Sequence, residues 1–138
     1  MKQKTKFIFI AVIAVIAFVI ITFNSCTKAG IGGNGTVICK VYNKDNNGAA
    51  VNGATVYIDY DSSTPPSQDN TGYNDHKTAA AGTNSVTFTG LKQGTYYFYA
   101  EGNGGTTASP VTISGGAAFS LTHANRNGTS NAIISLGY

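Results

Sequence analysis

From Thr36 to the C-terminus, apolar residues fall at every second position in short runs, and Gly, Asn, Asp or Pro breaks each run about every ten residues. A side chain that alternates between two faces is the mark of a strand with one face buried. Such a chain is confined to short strands joined by tight turns. All seventeen glycines lie after residue 29, among many Thr and Asn. Glycine costs a helix about 1 kcal/mol per residue relative to Ala, which closes the helical alternative. The fold class is therefore all-β, with seven or eight short strands at the spacing of a sandwich or barrel.

The alternation places the strands. In residues 36–42, Val37, Cys39 and Val41 share one face, with Ile38 the exception. Asp45-Asn46-Asn47-Gly48 is a turn, since these residues tolerate positive φ. Residues 54–60 set Val56, Ile58 and Tyr60 against Thr55, Tyr57 and Asp59. Residues 61–75, with Pro65-Pro66, read as a long loop. Strands follow at 76–81 (short and weak), 85–89, 95–101, 110–114, 117–122 and 131–136, and the strongest puts Tyr96, Phe98 and Ala100 inward.

The N-terminus obeys a different rule. Lys2, Lys4 and Lys6 precede an apolar run over residues 7–23, the order of an export signal, with everything beyond it translocated. These three lysines account for the formal charge of +3, so the remainder, with six acids and six bases, is neutral. Nucleic-acid binding needs clustered cations to displace phosphate counterions, and no nucleic-acid partner is expected.

The run ends in Phe23-Asn24-Ser25-Cys26. This text resembles the lipobox of bacterial lipoproteins in the loose form found among Bacteroidota, with Phe23 where Leu is usual and Asn24 where a small residue is usual. The resemblance implies removal of residues 1–25, a diacylglyceryl group on Cys26, acylation of its freed amine, and a site in the cell envelope. Thr27 after the Cys implies the outer membrane, with its two faces left open. Cysteine suits the role because a thiolate is the nucleophile that accepts the lipid. Residues 26–35 then read as the lipidated Cys with a Gly-rich tether, and residues 36–138 as the sandwich domain. A Cys26–Cys39 disulfide and lipidation of Cys26 exclude one another.

Residues 41–58 (Val-Tyr-Asn-Lys-Asp-Asn-Asn-Gly through Val-Asn-Gly-Ala-Thr-Val-Tyr-Ile) and 86–96 resemble the carboxypeptidase regulatory-like domain. That resemblance implies a seven-stranded, prealbumin-like β-sandwich and says little about function.

Chemistry is sparse. There is no Gly-x-Ser-x-Gly elbow, and His76 and His123 stand far apart. Asp75-His76, half of a triad on paper, points to opposite sides of an extended segment. Asn43-x-Asp45-x-Asn47-Gly48 begins like a calcium loop but has Ala54 at the closing position, and Asp59 with Asp61 supplies too few oxygens. Cys39 reads as a small buried hydrophobe. No catalytic residue, cofactor or metal is expected.

What remains is aromatic. Tyr57, Tyr97 and Tyr99 have outward parity, with Tyr42 a candidate fourth. They form either a face that stacks on sugars or a protein partner, or cross-strand pairs that stabilise the sheet. The expectation is a membrane-anchored, non-enzymatic binding or structural module for a glycan or envelope protein. An accessory subunit of a fimbrial or transport assembly is the alternative, and a small hydrolase a distant one.

Overall fold

The computed structural model describes residues 28–106 and 108–138, with eight strands and no helix among them. The strands are β1 (Ile31–Asn43), β2 (Ala49–Ala50), β3 (Thr55–Tyr60), β4 (Asp75–Thr78), β5 (Ser85–Leu91), β6 (Gly94–Asn103), β7 (Thr112–Leu121) and β8 (Thr129–Leu136). The leader and Cys26 lie outside the described residues.

Two four-stranded sheets face one another as a β-sandwich. In the first, β1 pairs with β5 and β2 along one edge and with β8 along the other; the second runs β4-β3-β6-β7. Every pair is antiparallel except β1 and β8, which run parallel from Thr36↔Thr129 to Asn43↔Leu136. Parallel neighbours need a long crossover. Here the chain between them includes the whole of the second sheet as well as β2 and β5 of the first.

The alternation read from the sequence becomes the core. Val37, Cys39 and Val41 of β1 meet Val56 and Ile58 of β3, Tyr96 and Phe98 of β6, and Ile134 and Leu136 of β8, all fully buried. Each large apolar side chain removed from water contributes about 1.5–3 kcal/mol. In the turn after β1, Asn47 (φ 48°) and Gly48 (φ 72°) take the expected left-handed conformation.

Two glycine-rich stretches differ from expectation. Residues 31–35, read as tether, belong to β1: Ile31 and Gly35 both pair with Leu91 across a β-bulge. A Cβ at Gly33 would lie 2.2 Å from the Leu91 carbonyl oxygen, so this glycine permits close packing rather than flexibility. Similarly, residues 110–114 and 117–122 are not two strands but the single β7. Gly115 in its middle sits where a Cβ would come within 2.3 Å of the Ser135 carbonyl oxygen on β8. There the two sheets meet, and Ser114 and Gly137 exchange backbone hydrogen bonds of 3.1 and 3.0 Å.

Tyr96 fixes the start of the domain. Its hydroxyl donates to the Lys92 carbonyl and accepts from the Gly30 amide at 3.2 Å, while the Lys92 amide donates to the Gly30 carbonyl at 2.8 Å. The chain is thus clamped to the β5–β6 turn before β1 begins.

Candidate functional site

The β3–β6 register sets Tyr57 opposite Tyr99 and Asp59 opposite Tyr97, on the face away from the core. The three tyrosines singled out from parity therefore share one sheet and one face. Tyr42 does not join them, because β1 lies in the other sheet. Nor is the face open. Tyr57 and Tyr97 are half-buried and Tyr99 is 7% exposed. Parity decides the side of a sheet a residue occupies, and says nothing about what covers that side.

The cover is the loop between β3 and β4. Tyr73 from this loop stacks on Tyr99 (centroids 5.6 Å, 19° between planes) and tilts against Tyr57 at 5.8 Å. His76 stacks on the far side of Tyr57 at 5.5 Å. Asn70 donates to the Tyr57 hydroxyl and to Glu101 Oε2, both at 3.2 Å, and the Tyr99 hydroxyl donates to Glu101 Oε1 at 3.1 Å. Tyr73, Asn70 and Glu101 were not evident from the sequence. Tyr73 sits in an aperiodic loop where no face can be assigned, and the Asn70–Glu101 contact spans both the loop and the sheet.

The loop also holds itself. Asp69 Oδ1 accepts from the Thr71 amide at 3.0 Å, the Thr71 hydroxyl at 2.6 Å and the Ser67 hydroxyl at 2.8 Å. Those donors favour the charged carboxylate and lower its pKa to about 2. Tyr60 N donates to Asn74 Oδ1 at 2.6 Å where the loop returns to β4. Its geometry is that of a compact, side-chain-packed surface loop.

Burial keeps two phenols of the cluster protonated. Burial raises the Tyr73 pKa far above the ordinary value, with neighbouring Tyr97, Tyr99, Asp59 and Asp69 adding to it. The Tyr73 hydroxyl is buried with no hydrogen-bond partner among the described residues. Burial likewise raises Tyr99. Phenols held protonated are poor bases and poor nucleophiles near neutrality.

Beside the roof, a groove of about 170 Å³ runs between Pro65, Ser67 and Gln68 of the loop and Tyr97, Ser114 and Gly116 of the sheet. Gly116 lets the Tyr97 ring lie against β7 at this wall, since a Cβ there would collide with the Tyr97 hydroxyl. A second hollow of about 340 Å³ lies at the other end of the same sheet, between Glu101, Asn103 and Val111.

The remaining candidates are occupied by structural tasks. Asp75 Oδ1 accepts from the His76 backbone amide at 2.8 Å, and the His76 ring lies on Tyr57. Asn43 Oδ1 caps the Asp45 amide at 2.9 Å, and Asp45 Oδ2 receives the Tyr138 amide at 3.0 Å, so both would-be calcium ligands shape the turn. Cys39 is buried and free, and burial pushes its thiol up to about 12. No family model matches the chain, and no curated protein or solved structure matches it significantly.

Proposed function

We propose that this chain is a lipid-anchored lipoprotein of the bacterial envelope, held through Cys26, whose sandwich is a non-enzymatic binding module related to carboxypeptidase regulatory-like domains. Its recognition surface is the roof formed by residues 61–74 together with the groove beside Tyr97, and its ligand is a hydroxyl-rich chain such as a glycan. The observation that carries this reading is the polar loop whose own Tyr73 packs on Tyr57 and Tyr99 of the sheet, with a half-buried tyrosine lining the groove beside it. Rigidly supported loops are where binding residues concentrate, and a tyrosine flanked by amide and hydroxyl groups suits a sugar ring. Ser67, Gln68 and Ser114 supply those groups. The hydrolase alternative draws no support from the site, because Asp75 is engaged with a backbone amide and the buried phenols stay protonated.

The test is a glycan array probed with the full chain, followed by Tyr97→Ala and Gln68→Ala. Both substitutions should lower binding at least about tenfold, the loss of roughly 1.4 kcal/mol, while the unfolding midpoint stays within a small margin of wild type. Binding that survives both removes the groove from the account. Stoichiometric co-purification with envelope proteins and silence on the array would favour the accessory-subunit alternative. Intact-mass spectrometry of the membrane-extracted protein tests the anchor, with acylated Cys26 as the expected terminus.

A further inference from the structure

The expected tether is largely absent as a tether. Ala29 packs against Gly94 so closely that a Cβ there would lie 2.5 Å from its own, Gly30 is hydrogen-bonded on both sides, and β1 starts at Ile31. From Cys26 to the Gly30 clamp there are four peptide units. At roughly 3.3–3.6 Å each they reach no further than about 14 Å. Whatever holds residue 26 holds this end of the sandwich close to it.

That end is basic. Lys92 and Arg126 flank a hollow of about 170 Å³ together with Asn34 and Asn127, and the exposed Lys28 lies just ahead of the clamp. Two carboxylates reach the groups around the clamp: burial and then Asp61 raise the Tyr96 pKa, and burial and then Asp75 raise that of Tyr60, which lies beside Gly30. Ile31, immediately past the clamp, is 66% exposed. Cations around an exposed aliphatic side chain match the phosphates and the acyl boundary of a lipid surface.

We infer that the end of the sandwich bearing Lys28, Lys92 and Arg126 docks on the net anionic phospholipid headgroups of the bilayer that anchors the chain, so that the opposite end, at Asn46, points away from it. The inference rests on the membrane-anchored reading above and adds an orientation to it. A chain held at residue 26 by lipid or by an uncleaved leader docks by the same end.

The experiment places a fluorophore at Asn127→Cys or at Asn46→Cys in the full-length protein, reconstituted into phosphatidylethanolamine–phosphatidylglycerol vesicles that carry a headgroup nitroxide quencher. Cys39 is buried and takes no label. The label at 127 should be quenched and the label at 46 spared. Lys92→Gln and Arg126→Gln should each lower the docked-to-undocked ratio about fivefold, an effect that phosphatidylcholine vesicles reproduce in the wild type. Equal quenching at the two ends, or quenching at 127 that ignores both substitutions, overturns the docking. Intact mass before labelling tests the lipoprotein reading separately. If Cys26 is bare, that reading falls, and the docking is measured in a Cys26→Ser background.

Discussion

Two tyrosines show how much a single hydroxyl is worth in this protein, and they do so with opposite signs. The Tyr96 oxygen joins Gly30 to Lys92 inside the domain, whereas the Tyr73 oxygen is buried with no partner among the described residues. A lost partner leaves a buried donor or acceptor unsatisfied, at about 1–3 kcal/mol, while removing an already unsatisfied group removes a penalty. Tyr96→Phe should therefore lower stability by about 1–3 kcal/mol in urea denaturation, and Tyr73→Phe should leave it unchanged or raise it. No loss at either site would show that ring packing alone matters at both. Asp69 carries a pH dependence of the loop. Its pKa falls from 3.8 to about 2 on folding, so its contribution is present above 3.8 and disappears as the pH falls through about 2. Amide exchange at Thr71, the residue that donates to it, should be protected at pH 5 and lose that protection near pH 2 while the β6 amides keep theirs.

At the scale of elements, the strands were legible because one buried face imposes a period of two. Val56, Ile58, Tyr96 and Phe98 sit inward as their spacing requires. What escaped the sequence were the positions where glycine acts by being small. Gly33 and Gly115 resemble loop glycines in composition, yet each lies in a strand against a neighbouring carbonyl. The candidate site was half legible for a related reason. Tyr57, Tyr97 and Tyr99 were placed on the correct face by parity, but the loop that covers them makes tertiary contacts that no local pattern encodes. Gly115→Ala tests the glycine argument. It drives a methyl into the Ser135 backbone, where neither partner is a flexible side chain, and overpacking of this kind costs about 1–3 kcal/mol. Gly128→Ala, whose Cβ would meet nothing nearer than 3.8 Å, serves as the control and should stay within about 0.5 kcal/mol of wild type.

For the molecule as a whole, the question is how a two-sheet stack avoids offering its edges to other chains. On one side the stack is closed by backbone, where Ser114 of β7 and Gly137 beyond β8 bond across the sheets. On the other side β4 is an edge strand of four exposed residues, and no backbone bond crosses from it to β5. Lys77 bridges that gap. It lies opposite Val56 in register, so it stands on the inward face of the sheet. Its ammonium passes over the Phe88 ring at 5.2 Å and donates to the Thr87 carbonyl at 2.7 Å. An inward-pointing charge on a short edge strand deters edge-to-edge pairing, because a second strand docking there would strand the charge away from water. Replacing it with a side chain of similar length and no charge separates the two roles. Lys77→Met keeps the aliphatic stem over Phe88 and loses the carbonyl bond and the cation–π contact, a loss of about 0.5–1.5 kcal/mol that urea denaturation reads. Its larger effect should be on association, with a higher weight-average mass than wild type in sedimentation velocity at equal concentration, and Lys77→Arg should restore the wild-type value. A Met variant that sediments as wild type does would show that the edge is protected by its shortness alone.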